Sequence, residues 1–106
     1  MVDKTWKAAE RRIAKLFDTE RTPLSGSNGK VTASDTLHPK LFIEAKKRKK
    51  HSVITLYDET KAKAAKEGKI AVIALTVNGR PGVWLMCKAK DFKKVASFLK
   101  EEKDER

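Results

Sequence analysis

The sequence predicts an α/β fold in which a central mixed β-sheet is flanked by α-helices. Three observations favour it: apolar residues recur at helical spacing in three segments, short apolar runs lie between them, and an Asn-Gly pair separates two runs. The predicted order is helix, strands, helix, strands, helix. With 106 residues, 40% of them hydrophobic, the chain is expected to form one domain, residues 1–106, with a modest core.

The first predicted helix covers residues 5–17 and contains a charged residue where an apolar one is expected. Glu10 falls inside the apolar stripe of this helix, which consists of Trp6, Ile13 and Phe17. A carboxylate on an inward face costs stability unless it is paired or bound to a metal. Glu10 is therefore either a charge at the margin of the stripe, paired with Arg11 or Lys7, or one carboxylate of a metal site.

Two strands are predicted next, over residues 33–37 and 41–46. Their pairing is expected to place several charged side chains close to one another. Because side chains alternate along a strand, Glu44 and Lys46 share one face. Hairpin pairing would bring Asp35 opposite Glu44 or one pair away. Two carboxylates and one ammonium group would then converge.

This group of charges suits a divalent metal beside a phosphate. Mg²⁺ prefers hard oxygen ligands, keeps several waters and takes one or two carboxylates along with substrate phosphate oxygens. The metal can polarise a phosphoryl group and orient an attacking water, while a nearby ammonium stabilises the developing charge. The alternative is an exposed Glu44–Lys46 pair on an edge strand, with Asp35 a turn residue.

The net charge of the chain favours a polyanionic partner. The sequence carries 25 Lys and Arg against 14 Asp and Glu, a formal net charge of +11. Positions 40–50 hold six basic residues against Glu44 alone. The basic tract that leaves the second strand, Lys47-Arg48-Lys49-Lys50, is expected to follow a phosphate backbone, the alternative being a solvated loop or a localisation-like run.

Turn-forming residues fill the segment 22–30. Its glycines would let the backbone approach a phosphate, which Ser25, Ser27 and Lys30 would contact. A plain linker between helix and sheet is the alternative.

The second half of the chain supplies the remaining elements. A helix is predicted over residues 52–66, with Ser52 as its N-cap and Gly68 just beyond its end. Strands over 70–77 and 82–87 are joined by a hairpin turn at Asn78-Gly79, and a last helix starts at Asp91. Residues 101–106 form a charged tail that is expected to fray.

Other classes of function find no support in the sequence. Cys87 is the sole cysteine, so an intrachain disulfide is excluded, and His38 and His51 lack the spacing of zinc ligands. Neither a signal peptide nor an apolar run long enough to cross a membrane is present, so no membrane partner is expected. The expected location is the cytoplasm, or the host cytoplasm if the chain is viral.

The residues described above combine with Arg21 into one pattern over about residues 10–50. The pattern consists of Glu10-Arg11 on the first helix, Arg21, the Ser25-Gly26-Ser27 loop, Asp35, and Glu44-x-Lys46 followed by basic residues. It resembles the archaeal-type Holliday junction resolvases of the PD-(D/E)xK nuclease superfamily. One position departs from the superfamily, since Ser34 stands where its name has Pro.

The resemblance implies a restriction endonuclease-like core and a role for each matching position. Implied metal ligands are Asp35, Glu44, the Ala45 backbone carbonyl and Glu10, and implied catalytic residues are Glu10, Asp35, Glu44, Lys46 and Ser25. Implied DNA-binding residues are Arg11, Arg21, Ser27, Lys30, Lys47, Arg48, Lys49 and Lys50. The implied cofactor is Mg²⁺, with Mn²⁺ as its substitute. Either Ser25 or Ser27 would be the loop serine of the family.

The activity that the resemblance implies is that of a metal-dependent homodimeric endonuclease acting on branched double-stranded DNA. Two sites related by a two-fold axis would resolve a four-way junction by paired symmetric nicks. A nuclease of the same superfamily with another target, such as a nickase or a flap- or end-directed enzyme, is one alternative. A non-catalytic basic DNA-binding protein is the other.

Overall fold

The computed structural model describes residues 5–23 and 32–101. The chain divides into two compact units, Met1–Lys49 and Lys50–Arg106, and the boundary lies inside the basic tract. The predicted organisation as one domain stays a prediction. Among the described residues, no helix is both long and apolar enough to cross a membrane.

Helix α1 of the first unit spans Thr5–Leu16, so the helix predicted over residues 5–17 is confirmed. It ends because Asp18 takes a left-handed conformation, with φ of 56°, and the next N–H, from Thr19, turns back to the Ala14 carbonyl at 3.0 Å. Ala14 is buried, whereas Trp6 and Phe17 keep about two fifths of their surface exposed, at 43% and 41%. The apolar stripe is therefore only partly covered.

The strands predicted over residues 33–37 and 41–46 do not form a regular ladder, and this part of the prediction is wrong. The two segments nevertheless lie side by side, since the Asp35 N–H donates to the Ile43 carbonyl at 2.8 Å. The Ser34 hydroxyl oxygen accepts a hydrogen bond from the Ile43 N–H at 2.8 Å. A side chain thus occupies a place that a backbone carbonyl would take in a ladder.

Helix α2 begins the second unit and spans Ser52–Lys66. Ser52 is its first residue rather than its N-cap, which is His51, and no side-chain cap is formed there. The predicted end is confirmed: Glu67 is the C-cap and Gly68 has φ of 65°, a left-handed conformation that glycine adopts without steric cost.

The sheet of the second unit is a short antiparallel pair, β1 at Ile73–Leu75 and β2 at Trp84–Met86. Ile73 lies opposite Met86, and Leu75 lies opposite Trp84. The small core of this unit is formed by Tyr57, Ala71 and Ile73, against which Val53, Ala64 and Met86 pack. Helix α2 therefore covers the end of the hairpin that is far from its loop.

The hairpin turn predicted at Asn78-Gly79 is confirmed by the Arg80 N–H, which donates to the Val77 carbonyl at 3.1 Å, and by φ of 78° at Gly79. The strands are shorter than predicted because Pro81 has no N–H and Gly82 has φ of 94°, so pairing stops before β2.

A 3₁₀ turn at Ala89–Asp91 leads into helix α3, Phe92–Ser97, close to the start predicted at Asp91. The described residues thus contain three α-helices and a two-stranded sheet. The mixed sheet and the restriction endonuclease-like core stay predictions.

Candidate metal and DNA-binding site

Asp35 lies against the segment that carries Glu44 and Lys46. Its backbone N–H donates to the Ile43 carbonyl at 2.8 Å, and its Oδ2 accepts the backbone N–H of Ala45 at 2.6 Å. The half-buried Asp35 carboxylate is thereby fixed beside the Glu-x-Lys tripeptide. The segments that carry Asp35 and Glu44 lie side by side, as predicted, although they are joined by individual backbone and side-chain hydrogen bonds rather than by a strand ladder. The convergence of the two carboxylates stays a prediction.

Ser34 is the residue that joins the two segments, and the sequence pattern gave it no role. Its side chain is almost completely buried and bonds both polar groups of one backbone unit, accepting from the Ile43 N–H at 2.8 Å and donating to the Ile43 carbonyl at 3.1 Å. It also accepts the Thr36 N–H at 3.3 Å. A serine hydroxyl can bind nearby backbone groups, so Ser34 next to Asp35 was the sequence feature from which this role could have been inferred.

The other side of the Asp35 segment is held by the stretch that follows α1. Arg21 and Thr36 form an antiparallel bridge, and the Thr22 N–H donates to the Asp35 carbonyl at 3.1 Å. The buried Thr22 hydroxyl donates to the Ser34 carbonyl at 2.9 Å. Hydrogen bonds to residues 20–22 on one side and 43–45 on the other therefore hold the Asp35 segment in place. Apolar packing is not what fixes it.

Replacing Ser34 with alanine is expected to destabilise the first unit by about 2 kcal/mol, because the partly buried Ile43 N–H and the buried Thr36 N–H lose their acceptor. Urea unfolding followed by circular dichroism measures this loss. The exposed Ser97, whose hydroxyl also donates to a backbone carbonyl, provides the control, and Ser97→Ala should change the stability by less than about 0.5 kcal/mol. Equal effects of the two substitutions would contradict the assigned role of Ser34.

Glu44 and Lys46 point the same way, as predicted, and form an ion pair of 3.2 Å between Oε2 and Nζ. Their side chains are 54% and 57% exposed, so the pair contributes little to stability. The second unit holds a pair of identical spacing, Glu67 and Lys69, at 2.9 Å. A Glu-x-Lys pair alone therefore marks no site, and the feature that distinguishes Glu44 is the neighbouring Asp35.

Glu10 is paired with Arg21, a partner that neither sequence interpretation of Glu10 named. Its Oε1 accepts from Arg21 Nε at 3.0 Å, and the two side chains are only 17% and 16% exposed. The Arg21 guanidinium carbon lies 5.6 Å from the centroid of the Trp6 ring. This cluster satisfies the charge of Glu10 without a metal, which the apolar stripe alone did not indicate.

The predicted metal ligands fit a site with two carboxylates better than one with three. Across residues 5–23 and 32–101, no three His, Cys, Asp or Glu side chains are grouped closely enough to hold a metal ion. Asp35 and Glu44 are the pair that adjoining segments bring together, and two carboxylates suffice for Mg²⁺ when waters complete its shell. The implied roles of Glu10 and of the Ala45 carbonyl stay predictions.

The basic tract lies at the surface. Lys47, Arg48, Lys49 and Lys50 are all exposed. Two of the predicted DNA-binding residues, Arg11 and Arg21, line one open groove of about 340 Å³ on the first unit, together with Ala14, Lys15, Thr19 and Glu20. Lys15 is a basic residue that the sequence pattern did not single out.

The loop residues Ser25, Ser27 and Lys30 lie outside the described residues, so their implied roles stay predictions. No protein-family model, curated protein or solved structure matches the chain. The resemblance to archaeal-type resolvases therefore rests on the pattern of residues alone, and so do the activity and partners that it implies.

Proposed function

We propose that the chain is a metal-dependent DNA endonuclease with a site built on Asp35 and Glu44-Ala45-Lys46. The observation that carries this proposal is the hydrogen bond of 2.6 Å from the Ala45 N–H to Asp35 Oδ2, which fixes an acidic side chain against a Glu-x-Lys tripeptide. The resemblance adds the finer proposal: a homodimer that resolves four-way DNA junctions by paired nicks.

The two carboxylates have complementary properties for this role. Asp35 is half-buried and held through Oδ2, which leaves Oδ1 as its second acceptor, whereas Glu44 is exposed and forms an ion pair with the surface residue Lys46. Bound Mg²⁺ would supply Lewis-acid activation of the scissile phosphate and of a water. One fixed and one accessible carboxylate suit an ion that keeps several waters.

Lys46 supplies the positive charge of the proposed site. Its ammonium group lies 3.2 Å from Glu44 Oε2 in the free protein. A cation held by the Glu44 carboxylate would compete with this ion pair, and the Lys46 ammonium would then be able to bind a phosphate oxygen and stabilise its developing charge. The exposed basic tract that follows, Lys47 to Lys50, would bind the flanking backbone phosphates.

A non-catalytic DNA-binding protein is the second candidate, and one observation favours it. Glu10, the third implied carboxylate, is neutralised by Arg21 rather than directed to Asp35 and Glu44. Against it, binding a phosphate backbone would give no use to an aspartate fixed beside the Glu-x-Lys tripeptide, whereas a cation site needs such carboxylates. This arrangement makes the metal-dependent activity the better-supported proposal.

The two Glu-x-Lys pairs allow a matched test of the proposal. Glu44→Gln is expected to reduce Mg²⁺-dependent cleavage at least about a hundredfold, because a ligand of the metal is lost. Glu67→Gln removes the same charge from the same local motif in the second unit and should leave the rate unchanged. The substrates would be a mobile four-way junction, a flap and a matched duplex, and the readout is strand cleavage on denaturing gels.

Each pattern of cutting has a defined meaning. Paired symmetric nicks in the junction support the resolvase proposal, whereas preferential cutting of the flap or duplex supports a nuclease with another target. DNA binding without cleavage of any substrate, with Mg²⁺ and with Mn²⁺, would establish the non-catalytic alternative.

A further inference from the structure

The loop end of the β1–β2 hairpin carries an aromatic–cation pair that the proposed nuclease site does not use. The Arg80 guanidinium carbon lies 4.9 Å from the centroid of the Trp84 ring. Trp84 lies opposite Leu75 in the sheet, two pairs beyond the Ile73–Met86 pair that the core covers. Because the core ends there, 41% of Trp84 remains exposed.

The surroundings of this pair are apolar, and Arg80 supplies the charge. Val77 and Val83, in the loop that joins the strands, are 49% and 45% exposed. From position 70 to position 87 the sequence contains no charged residue besides Arg80. A ligand for this surface must therefore offer a flat apolar face together with negative charge, and an unpaired nucleotide has both.

We propose that Arg80 and Trp84 form a stacking platform for an unpaired base of single-stranded DNA. The proposal rests on the proposed DNA target and deepens it, since it identifies unpaired nucleotides, such as those of a flap or an opened branch point, as part of the substrate. The guanidinium plane and the exposed part of the indole ring would stack on the base, and the Arg80 charge would attract its phosphate.

An anionic membrane surface also attracts exposed tryptophan and arginine, but the platform favours the nucleotide. Arg80 already covers a face of the ring, and a cation held over an indole resists transfer into a hydrocarbon layer. Stacking on a base would leave Arg80 over the Trp84 ring and add the base as a further stacked group. Lipid vesicles therefore serve as a competing probe in the test.

Tryptophan fluorescence gives a site-specific test, since the sequence has only Trp6 and Trp84. In the Trp6→Phe variant, without metal ions, a short oligo-dT is expected to quench Trp84 with a saturable curve. Anisotropy of the labelled oligo-dT should show binding about tenfold weaker for Trp84→Ala, partly restored in Trp84→Phe. Arg80→Lys, which keeps the charge but loses the planar guanidinium, should weaken binding more than Lys88→Ala, which removes a charge beyond the other end of β2.

Several results would contradict the stacking platform or assign it to another ligand. Absence of quenching, equal affinity of the wild type and Trp84→Ala, or equal quenching by a matched duplex would overturn the proposal. A blue shift with vesicles of anionic lipid but no response to oligo-dT would assign the platform to a membrane surface instead. Quenching by oligo-dT in a chain that cuts no DNA would keep the platform while rejecting the nuclease activity, so the two failures are distinguishable.

Discussion

Asp35→Asn is expected to reduce Mg²⁺-dependent cleavage at least about a hundredfold while the fold is retained. The amide oxygen of asparagine can still accept the Ala45 N–H that Asp35 Oδ2 accepts at 2.6 Å, so the two segments should stay together. What the substitution removes is the negative charge available to a cation. Single-turnover cleavage of a four-way junction, with protein in excess, measures the chemical step.

Asp58→Asn is the matched control for this experiment, because Asp58 is an exposed aspartate on α2 in the other unit. It should cleave at the rate of the wild type, and urea unfolding should show similar stability for all three proteins. If Asp35→Asn cleaves at the rate of Asp58→Asn, Asp35 is no metal ligand and the proposed site is wrong.

Arg21→Ala is expected to lower the free energy of unfolding by about 3 kcal/mol, the largest stability change that this structure predicts. The substitution leaves the Glu10 carboxylate, only 17% exposed, without its partner at 3.0 Å, and it removes a cation that lies over the Trp6 ring together with Lys7. Arg12→Ala on α1, where the side chain is exposed, should cost less than about 0.5 kcal/mol. Chemical unfolding with both variants measures the difference.

The ion pair between Glu10 and Arg21 also allows a test of the implied metal role of Glu10. Arg21 Nη2 is buried without a hydrogen-bond partner among the described residues, so the guanidinium is held chiefly through Nε. If Glu10 acts only as the partner of Arg21, Glu10→Ala should lose stability but keep its metal affinity. A loss of Mn²⁺ affinity in folded Glu10→Ala would instead establish Glu10 as a ligand.

Local features of the fold could be predicted from the sequence because their causes are local. The apolar spacing of α1, the left-handed glycine after α2 and the Asn-Gly turn each depend on a few adjacent residues. The strands over 33–37 and 41–46 could not be excluded, because the competing hydrogen bonds of Ser34 join residues nine apart. An alternation of side chains cannot show that such a bond exists.

The same contrast holds for the candidate site. Alternation was enough to place Glu44 and Lys46 on one side, and the short connection was enough to bring Asp35 near them. The partner of Glu10 was predicted among neighbours on its own helix, yet Arg21 follows eleven positions later, after the chain has turned back. Ion pairs across a turn depend on tertiary structure, and periodicity carries no information about them.

The most direct test of the proposed site is whether Asp35 and Glu44 bind a divalent cation together. Substoichiometric Mn²⁺ added to ¹⁵N-labelled protein should selectively broaden the amide signals of Asp35, Glu44 and Ala45, and Asp35→Asn should abolish this effect. Glu67→Gln, which alters the matched pair in the second unit, should leave the broadening unchanged. Equal loss of broadening in Glu67→Gln and Asp35→Asn, or no change on Asp35→Asn, would contradict a metal site at Asp35 and Glu44.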